Sequence, residues 1–132
     1  MVNPIKKGSK MEKILLFNVD DTTKAKLKKY FSQMHIRLME VETSSYNETL
    51  DTLVNKKTAK AEPFCGTAPA ESLMLFCDVA DKKMDKLLFN IKKDNLSISY
   101  KAVLTPVNSR WTVLRLFLEL EKERIAYANR TI

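Results

Sequence analysis

Three aspartates stand directly behind apolar runs in this chain: Asp20 and Asp21 after ILLFNV, and Asp78 after LMLFC. Carboxylates gathered at strand ends can hold a divalent cation or accept a phosphoryl group, because hard oxygen donors suit Mg²⁺. Asp20, Asp21 and Asp78 are therefore a candidate cation site. Aspartates are also what helix N-termini select, so capping against the positive end of the helix dipole is the plainer account of all three. A second group collects behind a later run: Thr105, Asn108 and Arg110, with Asn18 beside the first acidic pair. Hydroxyl, amide and guanidinium groups beside free helix N–H groups suit an anionic or polar ligand. Asn18, Thr105, Asn108 and Arg110 are the candidate ligand-binding residues.

Other chemistries are poorly supplied. One histidine, His35, and two cysteines without close spacing do not make a tetrahedral zinc site. Gly8 and Gly66 are isolated, so no glycine-rich loop cradles a phosphate. Cys65, in PFCGTAP, has only the distant His35 to activate it, and Cys77, inside an apolar run, reads as a small core residue. No catalytic residue, metal or cofactor is expected.

The chain has 132 residues, 45% of them hydrophobic and 30% charged, which suits one domain and leaves no room for two. Charged residues interrupt every apolar run, so no membrane-spanning segment is expected. The net charge is +7, but Lys6, Lys7 and Lys10 lie in residues 1–10, read as a flexible basic arm with Met11 as an alternative start. That arm lacks the apolar centre of a signal peptide, and the two cysteines read as free thiols of a cytoplasmic protein. Nucleic acid is a weak candidate partner: the lysines of the helices alternate with aspartates or lack stacking aromatics and arginines.

The periodicities predict four strands and four helices. Residues 13–19 (KILLFNV) and 72–77 (SLMLFC) are continuous apolar runs, as strands covered on both faces are. Leu27, Tyr30, Phe31 and Met34 recur at helical spacing behind the Asp20 cap, and His35 closes that helix. Residues 36–41 read as an edge strand. Ser45 and Glu48 make a capping box for a short helix with Tyr46, Leu50, Leu53 and Val54 on its face. Residues 55–71 form the longest loop. Met84, Leu87, Leu88 and Ile91 mark a third helix, residues 98–104 a fourth strand, and Trp111, Leu114, Phe117, Leu118 and Ile125 the buried face of the last helix, with 127–132 a tail.

The order βαβαβαβα predicts a three-layer, doubly wound parallel sheet with strands in the order 2-1-3-4, because each connection carries a helix. Ligands in such sheets sit at the carboxyl ends of the strands where the order reverses, here between the first and third. That would bring Asn18, Asp20, Asp21, Cys77 and Asp78 together, with Thr105 and Asn108 joining from the fourth strand. The fourth strand is an apolar edge that could pair with a second copy as a homodimer.

The stretch KAVLTPVNSRW (residues 101–111), with LMLFCDVADKKMDKLL before it and ILLFNVD at the front, resembles a family of small bacterial proteins known as a domain of unknown function. The likeness lies in a K-A-V-L-T-P-x-N-x-x-W signature and is expected to extend from Met11 to about Glu123. It implies no reaction, cofactor or partner, but adds emphasis to Thr105, Pro106, Asn108 and Trp111. Pro106 breaks the strand ladder, Asn108 could cap the last helix, and Trp111 could fold over the sheet. The acidic group also resembles the pocket of response-regulator receiver domains, although no fifth strand with a lysine follows. Three roles stay open: a non-catalytic module binding a small molecule or partner protein, a cation-dependent enzyme or phosphoacceptor, and a basic nucleic-acid accessory protein.

Overall fold

The computed structural model describes residues 11–130. The basic arm falls outside them. Four strands, β1 (Lys13–Phe17), β2 (Arg37–Val41), β3 (Leu73–Cys77) and β4 (Tyr100–Val103), form one sheet in the order β2-β1-β3-β4. The helices are α1 (Asp21–Met34), α2 (Leu50–Val54), α3 (Asp81–Lys93) and α4 (Val113–Arg130). The two apolar runs are the central strands, and every residue of β3 is buried.

Alternation along β1 and β3 divides two cores. Ile14, Leu16, Met74 and Phe76 face α1 and α3, where Leu27, Phe31, Leu87 and Ile91 cover them. Leu15, Phe17, Leu73, Leu75 and Cys77 face the other way, toward Tyr46, Leu50 and Val54 around α2 and Val113, Leu116 and Phe117 of α4. Each large apolar side chain buried this way contributes about 1.5–3 kcal/mol. The architecture is thus the expected three-layer βαβαβαβα fold.

Direction is the correction. β1–β2 and β3–β4 are parallel, but β1 and β3 run antiparallel, with Lys13 opposite Cys77 and Phe17 opposite Leu73. Residues 55–71 are the cause. The end of α2 lies at the starting end of β1, where Lys13 Nζ donates to the Val54 carbonyl at 2.5 Å. The loop then carries the chain back along the sheet to where β1 ends, and Asn18 Nδ2 there donates to the carbonyls of Pro69, Ala70 and Glu71 at 2.8–3.1 Å. β3 therefore starts where β1 finishes. A sheet that direct helical crossovers would have made wholly parallel becomes mixed.

Several local expectations also shift. Ser45 and Glu48 form no capping box: Thr43–Ser45 is a 3-10 turn, Thr49 Oγ1 caps α2 by accepting from Thr52 N, and the buried Glu48 carboxylate accepts from Lys60 N and Ala61 N in the loop. Asn108 does not cap the last helix, since Arg115 N donates to Thr112 Oγ1 instead. α4 overshoots the sheet, so Val113, Leu116 and Phe117 are its buried residues, while Leu118 and Ile125 are 53% and 48% exposed. Trp111 is half-buried, with the Arg115 guanidinium 4.7 Å from its ring centroid.

The antiparallel seam gives the molecule an approximate two-fold axis. Leu15 sits opposite Leu75 at the centre of the β1–β3 register. On the α2–α4 side Thr49 bridges Thr112, with Leu50 N donating to Trp111 O and Val113 N donating to Glu48 O. Each half runs strand, helix, strand, 3-10 turn, threonine-capped helix. Asn18 and Asp78 follow the central strands in the left-handed region at φ 58°, and His35 and Asn95 follow α1 and α3 at φ 58° and 54°.

Candidate functional site

Because β1 and β3 are antiparallel, the strand-end residues do not converge. Asn18 and Asp20 lie at one end of the sheet, and Asp78, Thr105 and Asn108 at the other, a strand length of about 16 Å away. Asp20 is spent as the α1 cap: its carboxylate accepts from Thr23 N at 2.7 Å, and that bond holds its pKa below the usual range. Asp21 is exposed in the first turn of α1, 3.6 Å from Lys24 Nζ. Asp78 stands apart from both. Among the described residues no three His, Cys, Asp or Glu side chains are placed to hold a metal ion.

Asn108 has a role that spacing did not suggest. It is 8% exposed; its Oδ1 accepts from Thr105 N at 2.8 Å and its Nδ2 donates to Val103 O at 3.0 Å. Tyr100 N and Leu104 N donate to β3, so the alternation of a parallel ladder turns the backbone groups of Lys101, Val103 and Thr105 toward the open edge. One side-chain amide accepting from Thr105 and donating to Val103 imitates a residue of a neighbouring strand. Thr105 Oγ1 accepts from Asn108 N at 3.0 Å and closes the turn. Arg110 is exposed and lines a shallow groove with Pro106, Val107, Trp111 and Arg115.

A concavity of about 590 Å³ lies where β3 and β4 end and β1 begins. Met11, Lys13, Asp51, Val54, Asn55, Asp78, Leu104, Thr105, Pro106 and Ser109 line it. β1, β3 and β4 position Lys13, Asp78 and Thr105, α2 brings Asp51, and a second 3-10 turn, Asn108–Arg110, brings Ser109. Asp51 accepts from Asn55 Nδ2 and Lys57 Nζ, each at 2.6 Å, and the Lys57 contact is the larger cause of its lowered pKa. The Ser109 hydroxyl donates to Pro106 O at 3.0 Å. The crevice thus offers an ammonium, two carboxylates, two hydroxyls and an amide above an apolar floor. Such a surface can orient a polar molecule by hydrogen bonds.

The two-fold axis supplies a comparison within the molecule. At the other sheet end, the matching residues Asn18, Val41, Glu42, Thr43 and Tyr46 border a different concavity of about 230 Å³, which Leu16, Val19, Lys24 and Glu40 also line. Where the open crevice has Ser109, Val54 and Lys13, its counterpart has Tyr46, Phe117 and Leu73, all buried. Phe64 of the 55–71 loop stacks on Tyr46 with ring centroids 6.4 Å apart, and Asn47 Nδ2 and the Ser44 carbonyl bind the same loop. One crevice is filled by the chain itself; the other is open.

Of the residues singled out in the sequence, Asp78 and Thr105 reach the open crevice, with Pro106 at its rim. Lys13, Asp51, Asn55 and Ser109 were missed as site residues. ILLFNVDD (14–21) and MLFCDVAD (74–81) agree at three of eight positions, a likeness that carries no information about the antiparallel seam bringing these residues together.

No helix among the described residues is long and apolar enough to cross a membrane. Comparison with curated proteins and with solved structures gives no match. A family model, Domain of unknown function (DUF3783), matches residues 72–127. That span is narrower than the expected one from Met11 and coincides with the second half of the two-fold arrangement. From β3 into α4, the chain is similar to this domain of unknown function.

Proposed function

We propose that this protein is a non-catalytic α/β binding module that takes a small polar molecule into the open crevice bounded by Lys13, Asp51, Asp78, Thr105 and Ser109. The observation carrying this reading is the asymmetry between equivalent places. The fold packs Tyr46, Phe117 and Phe64 together at one sheet end and leaves the other with a crevice of about 590 Å³, in which Lys13, Asp51, Asn55, Asp78, Thr105 and Ser109 stand beside apolar Met11, Val54, Leu104 and Pro106. That volume falls within the range of small-molecule sites, about 300–1,000 Å³.

The counterpart crevice also supplies the test. Ser109→Tyr places in the open crevice the aromatic residue that Tyr46 provides on the other side. Thermal shift against nucleotides, phosphorylated sugars and free amino acids is expected to find a compound that stabilises the wild type. The same compound should leave Ser109→Tyr unshifted, while the unliganded variant keeps its far-UV circular dichroism. If no compound stabilises the wild type, or if the variant responds equally, the reading fails.

A further inference from the structure

We propose that residues 13–54 are a second, diverged copy of the unit that the family model recognises in residues 72–127, and that the unit's seam is self-complementary, its natural partner being another copy of the unit. Four independent features of the two-fold arrangement support this. The β1–β3 register is centred on a leucine from each half, Leu15 against Leu75. Away from the sheet, Thr49 meets Thr112, and the backbone hydrogen bonds around that bridge are reciprocal, Leu50 N to Trp111 O at 2.9 Å and Val113 N to Glu48 O at 3.2 Å. Both threonines then cap the following helix through the third residue on, Thr52 N and Arg115 N. The left-handed residues match as well, Asn18 with Asp78 and His35 with Asn95.

Identical residues fall at several paired positions, Leu15 and Leu75, Val19 and Val79, Asp21 and Asp81, Leu27 and Leu87, and Leu53 and Leu116, and the Leu15, Leu75, Leu27 and Leu87 side chains are fully buried. In the first half Tyr46, Glu48 and Asn18 also hold the 55–71 loop.

Neither half closes a core alone. Ile14, Leu16, Leu27 and Phe31 from one half interleave with Met74, Phe76, Leu87 and Ile91 from the other, and the opposite face mixes the halves in the same way. A half taken alone would expose an unpaired central strand and two apolar faces, which a partner of the same shape covers under two-fold symmetry. The seam's hydrogen bonds are between backbone groups and tolerate a change of sequence. In a pair of second halves, Leu75 would lie on the axis opposite its own copy, and Thr112 opposite Thr112.

The experiment uses the full chain with a protease recognition sequence inserted between Gly66 and Thr67, both exposed in the loop. Uncut, the variant should keep the wild-type circular dichroism, and cut while folded it should remain one non-covalent pair in gel filtration. After denaturation and refolding of the cut protein, native mass spectrometry is expected to show two species, the pair of unlike halves and a pair of two C-terminal halves. Recovery of the unlike pair alone overturns the self-complementary seam. Failure of the halves to pair at all overturns it too, since the seam would then need its tether to be recognised.

Discussion

Asn108→Ala removes an amide that serves the sheet edge rather than a helix. Two hydrogen bonds go with it: the one Thr105 N donates to Oδ1 at 2.8 Å and the one Nδ2 donates to Val103 O at 3.0 Å. Both backbone groups face the open side of β4, so water recovers part of the loss, and a net cost of about 1 kcal/mol per bond gives roughly 2 kcal/mol in all. For a domain of this size that is a fall in Tm of roughly 6–8 °C. Asn108→Asp separates the edge role from a capping role. A carboxylate still accepts from Thr105 N but cannot donate to Val103 O, and it places negative charge against that carbonyl, so it should cost about as much as alanine. At a helix cap the same change would be neutral or stabilising. Urea denaturation of the wild type and both variants measures this. Asn108→Asp within about 0.5 kcal/mol of the wild type would refute the edge assignment.

Tyr46→Ala should cost about 3–5 kcal/mol, because the ring is 1% exposed and packs on Phe17, Phe64 and Phe117. Trp111→Ala should cost clearly less, since Trp111 is only half-buried; equal losses in chemical denaturation would contradict the packing described. Stability should also fall in acid partly through Glu12, whose pKa is lowered chiefly by its hydrogen bond from Lys83 Nζ at 2.5 Å. A carboxylate lowered in the folded state stabilises fully above its ordinary value near 4.5 and loses that contribution as pH falls through the lowered one. Glu12→Gln should therefore flatten the stability profile below about pH 4.5, and an unchanged slope would count against the pair.

Elements, their order and the layers were legible in the local residue pattern. Continuous apolar runs at 13–17 and 73–77 have no solvent face to offer, so they had to be central, and β2, with its exposed Arg37 and Glu40, had to be an edge. Helical spacing placed Leu27, Phe31, Leu87 and Ile91 in the core because a helix has one sheet-facing stripe. The last helix was read too generously: its apolar spacing continues through Leu118 and Ile125, but the sheet ends before they reach it.

Strand direction was set by long-range contacts instead. A strand buried on both faces carries the same side-chain pattern whichever way it runs, so ILLF and LMLFC are silent about it. The 55–71 loop is long enough either to wander over the surface or to carry the chain back along the sheet. Its anchors, Asn18, Asn47, Glu48 and Tyr46, act across distances that local pattern does not register. Reversing one strand moved Asp78 and Thr105 away from Asn18 and Asp20 and joined them to Lys13 and Asp51. The crevice is made by residues from opposite ends of the first half and by those that follow β3 and β4 in the second, and their meeting depends on how the two halves pair across the β1–β3 seam.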